Sequence, residues 1–283
     1  MLLNGKTEIV GIIGYPIDYT LSPAIHNSAF RSLNMNWLYI PMRVLPDQLA
    51  TALVGFRALG FKGANITIPH KMAAAILMDK LRGDAELLQA VNTVSLEDGR
   101  TVGFNTDAKG FEDFLKEAGI DLENQGVTVI GAGGAARGVV LAVARRGAAK
   151  VFVMNRTNDR TLELKDVLKS AISNSEIFER TFDNEGAKVI KESGLIINCT
   201  PLGNTPEDMP PVGLENFHEG QWVVDLKYRK TGTFLRAAAA RGARTASGEG
   251  MLLHQAAASF QIWTGREAPL RNMREAMNRE IVR

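Results

Sequence analysis

The sequence predicts an α/β fold made of two α/β domains, and three observations carry that prediction. Its 283 residues exceed the length of about 100–200 residues that one domain usually has. Short runs rich in β-branched residues alternate with longer amphipathic stretches, which is typical of parallel strands connected by helices. A glycine-rich turn at residues 131–136 follows one such run and precedes a helical stretch. Hydrophobic residues make up 45% of the chain and charged residues 23%, which excludes an intrinsically disordered chain.

In the first hundred residues, strand and helix patterns alternate and then end in a hairpin. Pro23 begins a helix, because proline is favoured in the first helical turn. Pro69 ends a strand, and Asp98-Gly99 is typical of a hairpin turn. The predicted strands are 9–13, 38–44, 63–68, 92–96 and 101–104, and the predicted helices are 23–33, 47–59 and 71–78.

From Asp107 onward the alternation resumes as a second unit. Gly119 and Gly147 stand just past two helical stretches, where glycine commonly ends a helix. The predicted strands here are 127–130, 150–154, 195–198 and 222–226, and the predicted helices are 107–118, 135–146, 251–264 and 271–281.

Charge and cysteine content exclude several classes of protein. The 33 Lys and Arg and the 31 Asp and Glu leave a net charge of +2, and no basic run indicates a nucleic-acid partner. Cys199 is the single cysteine, so neither an internal disulfide nor a Cys-rich metal site is expected. Charges interrupt the first residues, and no apolar run approaches the roughly 20 residues of a membrane helix. We therefore predict a cytoplasmic protein with no metal, nucleic-acid or membrane partner.

The glycine-rich turn has the form G-x-G-x-x-A between a strand and a helix, which predicts dinucleotide binding in a Rossmann-type domain. The first glycine permits the tight turn, the second lets the backbone approach a pyrophosphate, and the helix start supplies N–H donors. The alternative is a turn shaped by packing alone. The predicted cofactor-binding residues of this turn are Gly131, Ala132, Gly133, Gly134 and Ala135.

The next strand ends in Asn155-Arg156-Thr157, about 20 residues on, where NAD enzymes place an acid for the ribose 2′-hydroxyl. A guanidinium there attracts a 2′-phosphate, and Arg160 adds charge one turn later. The alternative is a solvated helix start with Thr157 as its cap. The negative charge of Asp159 favours this alternative, because it would repel a phosphate. We predict NADP as the cofactor.

Polar clusters lie at strand and loop ends of the first half, where ligand-binding groups gather in open α/β sheets. Thr20 and Ser22 place two hydroxyls before a helix, which suits a carboxylate, although Ser22 is also a good N-cap. Asn65 and Thr67 share one strand face, with Lys71 shortly after. The alternative for that face is the solvent-facing side of the strand.

Asn92 and Asp107 supply a further amide and a further carboxylate. Taken alone, Asp107 is also a natural N-cap for the helix that follows it. His26 and His70 are interpreted as packing or capping residues, because no metal-ligand spacing accompanies them.

In order, these clusters resemble the shikimate dehydrogenase family. The resemblance covers residues 11–265, nearly the whole chain, and its specificity comes from the co-occurrence of many motifs. The motifs are GYPI at 14–17, TLSP at 20–23, IHN at 25–27, NITIPHK at 65–71, AVNT at 90–93, GFNTD at 103–107, GAGGAAR at 131–137, NRT at 155–157 and GEGMLLHQ at 248–255.

The resemblance implies reversible, NADP-dependent reduction of 3-dehydroshikimate to shikimate, a step towards the aromatic amino acids. It also implies that the active site lies in a cleft between the two domains. The substrate-binding domain would comprise residues 1–107 plus 248–283, and the NADP-binding Rossmann domain would comprise 108–247. The motifs leave open whether the protein is a monomer or a homodimer.

Carried over by motif, the family's site residues fall into three groups. Lys71 and Asp107 would be the catalytic pair, since an ammonium can stabilise and protonate the oxygen that gains charge as hydride reaches a ketone. Thr20, Ser22 and Tyr228 would bind the ring carboxylate. The residues that would bind ring hydroxyls are Asn65, Thr67, Asn92, Asp107 and Gln255, and Lys71 would also contact the substrate.

Four positions depart from the family pattern. Thr20 replaces a usual Ser, Gln89 a usual Gly, Asn204 a usual apolar residue and Lys230 a usual Pro. None of them removes a predicted catalytic group. Two alternatives remain: a paralogue that uses quinate or an amino analogue with looser cofactor choice, and a non-catalytic NADP sensor.

Overall fold

A computed structural model of the chain describes residues 3–169, 171–172, 175–228 and 232–282. The chain divides into two compact units, Met1–Gly110 with Leu253–Arg283, and Phe111–Leu252. Lys230, one of the four departures from the family pattern, lies outside the described residues.

Strands and helices alternate through most of both units, which confirms the predicted α/β class. The strands are β1 (Glu8–Gly14), β2 (Trp37–Arg43), β3 (Gly63–Ile66), β4 (Lys80–Leu81), β5 (Thr93–Glu97), β6 (Arg100–Phe104), β7 (Gly126–Ile130), β8 (Lys150–Met154), β9 (Glu176–Arg180), β10 (Leu195–Asn198), β11 (Trp222–Asp225) and β12 (Arg244–Ser247). The helices are α1 (Ser22–Ser32), α2 (Leu49–Ala58), α3 (Lys71–Leu77), α4 (Asp84–Leu88), α5 (Asp107–Glu117), α6 (Gly134–Arg145), α7 (Asn158–Leu168), α8 (Asn184–Glu192), α9 (Thr233–Ala240), α10 (Glu249–Thr264) and α11 (Leu270–Val282).

The first unit contains a mixed sheet in the order β2-β1-β3-β5-β6-β4. Strand β1 runs parallel to both β2 and β3, whereas β5 is antiparallel to β3 and to β6. The predicted hairpin is β5–β6, and both Asp98 and Gly99 in its turn have positive φ. That backbone matches the right-handed twist of paired strands. The loops that follow β1, β3 and β6 lead directly into α1, α3 and α5, which places three helix starts near one sheet.

The second unit contains a fully parallel sheet in the order β12-β11-β10-β7-β8-β9. This is the doubly wound Rossmann order, because the strand order reverses between β7 and β10. Ligands of such sheets bind outside the carboxyl ends of the strands at that reversal. Strands β7 and β10 are buried along nearly their whole length, which explains their continuous apolar sequences.

Several short elements were not predicted, among them α4, α8, α9 and β12. Helix α4 ends at Gln89, whose φ of +47° lies in the left-handed region that glycine adopts without strain. The family's glycine at this position therefore has a local physical reason, and this chain accepts glutamine in the same conformation. Its side chain donates to the backbone oxygen of Glu86 at 2.7 Å. Within the described residues, no helix is long and apolar enough to cross a membrane.

Candidate active site

Lys71 and Asp107 form a close ion pair in the first unit. Lys71 is the first residue of α3 and Asp107 the first residue of α5, so the loops after β3 and β6, two strands of one sheet separated by β5, deliver them. The Lys71 Nζ donates to Asp107 Oδ2 at 2.5 Å, and the side chains are 16% and 4% exposed. A pair held this far from solvent keeps its geometry better than a surface ion pair.

Asn92 holds the other oxygen of the same carboxylate. Its Nδ2 donates to Asp107 Oδ1 at 2.9 Å, and its Oδ1 accepts from the backbone N–H of Thr106 at 2.8 Å. Both Asp107 oxygens are therefore hydrogen-bonded to other side chains. Asp107 is already the first helical residue of α5, so it is not the N-cap that the alternative expected, and its carboxylate is engaged with Lys71 and Asn92.

Gln255 reaches this group from α10. Asn92 Nδ2 approaches Gln255 Oε1 at 3.4 Å, and the Thr106 hydroxyl donates to the Gln255 backbone oxygen at 3.1 Å. Gly110 permits this approach, because a Cβ built there would lie 2.7 Å from both the backbone nitrogen and the Cβ of Gln255. We call the five residues Lys71, Asn92, Thr106, Asp107 and Gln255 the Asp107 network.

Asn65 is buried, which corrects the alternative that it lies on a solvent-facing strand face. Strand β3 is central in its sheet and all four of its residues are buried, so the alternation of polar and apolar residues does not mark a wet side. Asn65 Oδ1 accepts from the Tyr39 hydroxyl at 2.7 Å, and its Nδ2 donates to Ser259 Oγ at 2.9 Å. Protein groups thus hold both ends of this amide.

Thr67 lies against the carboxyl end of β1, and Thr20 and Ser22 follow that strand in the chain. The Thr67 backbone N–H donates to the oxygen of Ile13, and a Cβ on Gly14 would lie 2.5 Å from Thr67 Cγ2. Ser22 N–H donates to Thr20 Oγ1 at 3.3 Å. Among residues 3–169 and 253–282, no hydrogen bond joins these three side chains to the Asp107 network.

The N-cap interpretation of Ser22 is wrong. The cap of α1 is Leu21, with no side-chain hydrogen bond, and Ser22 is already helical. Its hydroxyl therefore does not close the helix end, and a helix N-terminus without a side-chain cap suits an anion.

His26 and His70 pack or cap, as the sequence indicates. His26 is fully buried and stacks on Tyr39 with ring centroids 4.4 Å apart, and burial lowers the pKa of its imidazole to about 3. His70 occupies the N-cap position of α3, and its Nε2 hydrogen-bonds the backbone oxygen of Val44. The described residues contain no cluster of His, Cys, Asp and Glu able to hold a metal ion.

Four polar residues around this site were missed by sequence reasoning. Thr93 and Thr106 lie inside motifs already singled out, so their position beside Asn92 and Asp107 was a usable signal. Ser259 lies one helical turn after Gln255, on the same face of α10. Tyr39 sits in the apolar strand β2 and carries no local signal.

In the second unit, the glycine-rich turn connects β7 to α6. Gly131 has a φ of +105°, and a Cβ there would lie 3.0 Å from Thr200 Cγ2, so packing explains this glycine. Gly133 has nothing within 4 Å of an added Cβ, so packing does not explain it. Gly133 caps α6 without a side-chain hydrogen bond. An open approach to backbone donors at a helix start fits a dinucleotide pyrophosphate.

The 155–160 segment lies where β8 leads into α7. Arg156 and Arg160 are exposed, and Asn155 Nδ2 donates to the backbone oxygen of Thr157 at 2.8 Å. Thr157 occupies the N-cap position of α7, as the alternative interpretation expected, but its side chain makes no capping hydrogen bond. Two accessible guanidinium groups therefore stand at this strand end, although Asp159 lies between them in the first helical turn.

Arg137 ties the two helices that carry these groups. This buried side chain extends from α6 and donates to Glu163 Oε1 of α7 at 2.5 Å. The sequence motif includes Arg137, but its role as a connection between helices depends on Glu163, which no motif marks. The connection fixes the glycine-rich turn relative to the 155–160 segment.

Beyond β10 and β11, a buried ion pair holds a loop. Asp225 pairs with Lys227 at 2.8 Å, and burial raises the pKa of the Asp225 carboxyl. Lys227 Nζ also donates to the backbone oxygen of Leu202. Tyr228 follows in chain, half-buried. Asn204, a departure from the family pattern, donates to the backbone oxygen of Pro201 at 3.1 Å, so its amide serves the loop itself.

Three family models match the chain. Residues 12–94 match the shikimate dehydrogenase substrate binding domain, 114–203 match shikimate / quinate 5-dehydrogenase, and 248–277 match the shikimate 5′-dehydrogenase C-terminal domain. Together they cover most of both units.

The similar proteins are shikimate and quinate dehydrogenases. The shikimate dehydrogenase (NADP+) of Methanothermobacter thermautotrophicus is 40% identical over 289 residues, which covers 100% of both chains. A Thermus thermophilus shikimate 5-dehydrogenase, solved with NADP(H) and shikimate, is 35% identical with a TM-score of 0.84 and covers 96% of this chain and 99% of its own. A Corynebacterium glutamicum quinate dehydrogenase, solved with NAD, is 30% identical with a TM-score of 0.87 over 96% and 99%.

Proposed function

This chain belongs to the shikimate dehydrogenase family, and we propose that it catalyses the NADP-dependent, reversible reduction of 3-dehydroshikimate to shikimate. The observation that carries this proposal is the Lys71–Asp107 pair, shielded from solvent and surrounded by amides and hydroxyls. Such a set of groups recognises a polyhydroxylated ring and places a proton donor beside it.

Lys71 is the proposed acid–base residue. When a ketone is reduced, its oxygen gains negative charge, and a nearby ammonium stabilises that oxygen and donates a proton to it. In the oxidation direction the neutral amine accepts the proton of the alcohol. Asp107 keeps the amine in place through its hydrogen bond to Lys71 Nζ.

The remaining polar residues of the first unit are proposed to bind and orient the ring. Asn92 and Gln255 each have amide atoms beside the Asp107 carboxylate, where they can share ring hydroxyls with it. Thr20 and Ser22, at the uncapped start of α1, are proposed to bind the ring carboxylate. Asn65 and Thr67 are assigned to ring hydroxyls by resemblance to the family, as is the carboxylate contact of Tyr228.

NADP is the proposed cofactor, and the second unit offers groups that fit it. The turn from Gly131 to Ala135 would hold the pyrophosphate, and Asn155, Arg156, Thr157 and Arg160 would hold the ribose with its 2′-phosphate. When bound in its reduced form, NADPH supplies the hydride that the ketone carbon receives. No residue of the chain has to carry electrons.

The test is a spectrophotometric assay on the purified chain. Shikimate and NADP+ are mixed with it from neutral to alkaline pH, and formation of reduced nicotinamide is followed by its absorbance. Turnover that requires both compounds supports the proposal. A chain that binds NADP+ tightly but turns over no cyclic hydroxy acid is instead the non-catalytic sensor.

A second candidate is a quinate-oxidising relative with looser cofactor choice. The similarity to an NAD-bound quinate dehydrogenase supports this second candidate, as does the extra methyl of Thr20. Kinetics with shikimate and quinate, each with NADP+ and NAD+, separate the two. A strong preference for NAD+ would overturn the role assigned to Arg156.

Three further expectations belong to this proposal. The substrate domain is assigned to residues 1–107 with 248–283, and the cofactor domain to 108–247. The reaction is placed in the cytoplasm, which fits the single Cys199. The protein is expected to be a monomer or a homodimer, which size-exclusion chromatography with light scattering measures.

A further inference from the structure

A line of buried hydrogen bonds leads from strand β2 towards the Asp107 carboxylate. Tyr39 of β2 reaches across β1 to Asn65 of β3, and its hydroxyl donates to Asn65 Oδ1 at 2.7 Å. On its other side, the Asn65 Nδ2 donates to Thr93 Oγ1 at 3.1 Å. The phenol therefore holds the acceptor end of this amide, while the Asn92 backbone oxygen, Thr93 and Ser259 hold its donor end.

The line continues in the same direction. Thr93 accepts from Asn65 and donates its hydroxyl hydrogen to Asn92 Oδ1 at 2.9 Å. Asn92 then presents its Nδ2 to Asp107 Oδ1, also at 2.9 Å. We call Tyr39, Asn65, Thr93, Asn92 and Asp107, taken in this order, the buried relay. Each member donates to the next.

All five relay residues are buried. Water cannot readily replace a lost partner there, and a buried polar group without a partner costs free energy. Side-chain networks of this kind keep one arrangement only when every member is satisfied. Such a line of buried polar side chains is harder to satisfy than an apolar core, which indicates that it serves the site.

We infer that Tyr39 is a positioning residue of the proposed reaction, acting on Asp107 through the buried relay. Without the phenol hydrogen, the buried Asn65 Oδ1 loses its partner, so the amide is held at its donor end only and can shift away from Thr93. The Thr93 hydroxyl then loses a donor, and its own hydrogen bond to Asn92 is less well fixed. Asn92 in turn holds Asp107 less firmly, and Asp107 positions Lys71 less well.

This inference rests on the proposed function, and Tyr39→Phe tests it. The ring and its stacking on His26 are kept, and only the hydroxyl is removed. We expect kcat/KM for shikimate to fall about 10-fold, or about 1.4 kcal/mol. We expect the loss to appear mainly in kcat, because the proton donor is displaced while the ring contacts remain. KM for NADP+ stays within about twofold of the wild-type value.

A pair of variants at the middle of the relay gives an independent test. Thr93→Val keeps the shape and removes the hydroxyl, so the same kinetic changes are expected, whereas Thr93→Ser keeps the hydroxyl and recovers most of the loss. Ser28→Ala is the matched control. It removes a buried hydroxyl of the same unit that donates to the Asn272 backbone oxygen at 3.1 Å, away from the relay. It is expected to lower stability while kcat for shikimate stays within about twofold of the wild-type value.

The outcomes separate the relay from the proposed function. Wild-type protein without turnover refutes the proposed function. Active wild type with unchanged kinetics in both Tyr39→Phe and Thr93→Val overturns the relay. So does a Thr93→Ser variant as impaired as Thr93→Val, or a Ser28→Ala variant with the same loss of kcat.

Discussion

The two candidate binding regions of this protein differ in what holds their polar groups. In the Asp107 network, side chains from separate elements bond to one another and almost no polar atom lacks a protein partner. At the glycine-rich turn and the 155–160 segment, the polar groups are backbone N–H groups and exposed guanidiniums. The first arrangement fixes geometry before any ligand arrives, as proton transfer requires. The second attracts phosphate by charge and is satisfied by the ligand itself.

The largest expected effect comes from removing the Lys71 amine from the Asp107 network. Lys71→Met keeps a side chain of similar length and removes its charge. We expect kcat for shikimate oxidation to fall about 10³-fold, because general acid–base catalysis contributes about 10²–10⁴-fold. Steady-state kinetics and a separate NADP+ titration measure this, and NADP+ affinity should be unchanged. A variant with raised KM and wild-type kcat would restrict Lys71 to binding.

The first unit should also lose stability in mild acid, because of His26. Its folded pKa of about 3 lies below the ordinary value of 6.5, so below pH 6.5 the unfolded chain binds a proton that the folded chain does not. This contribution to stability is complete above pH 6.5 and is lost progressively as pH falls, by about 3 kcal/mol from pH 6 to 4.

Urea unfolding of the wild type and of His26→Phe at several pH values measures the effect. The variant keeps an aromatic ring against Tyr39 and loses the titration, so its stability should decline less steeply below pH 6. Parallel curves for the two proteins would show that His26 is not the source.

At the 155–160 segment, Arg156→Ala should weaken the binding of NADP+ but not that of NAD+. Loss of a charged contact to the 2′-phosphate is expected to raise KM for NADP+ about 30-fold and leave KM for NAD+ within about twofold. Arg146→Ala is the control, since Arg146 is an exposed arginine at the far end of α6. Equal losses with both cofactors would contradict recognition of the phosphate.

The smallest effect is expected where two helices meet. Gly110→Ala places a methyl group against the backbone of Gln255, so KM for shikimate should rise about 10-fold while KM for NADP+ holds, since overpacking typically costs 1–3 kcal/mol. Gly55→Ala is the matched control, because nothing lies within 4 Å of a Cβ at that helical glycine. Gly55→Ala should gain up to about 1 kcal/mol in stability. Normal shikimate kinetics in Gly110→Ala would mean that α10 adjusts without moving Gln255.

Sequence reasoning succeeded where the signal is local. The glycine-rich turn, the hairpin at Asp98-Gly99 and the helix that Pro23 begins each depend on a few consecutive residues. Helix α8 was missed because it is short and mostly polar. Helix α9 was missed because half of its eight residues are alanines, which give no clear apolar–polar repeat. The solvent-facing alternative for Asn65 failed because alternation indicates a wet face only where one face of the sheet is uncovered.

The candidate site was harder to predict, for a geometric reason. Tyr39 and Ser259 meet at Asn65 from opposite ends of the chain, and hydrogen bonds over such separations leave no mark in local spacing. The Lys71–Asp107 pair was predicted through resemblance to a family. Its distance and the Asn92 contact came only with coordinates.

The division of the first unit into two separate chain segments also bears on how the protein is made. Leu253–Arg283, which carries Gln255 and Ser259, is synthesised after all of Phe111–Leu252. The second unit is contiguous, so it can fold on emerging from the ribosome, whereas Met1–Gly110 must wait for its last helices. During that interval the groove that α10 later fills exposes apolar and polar surface together. A nascent chain stalled before residue 253 should therefore be the form most in need of a chaperone.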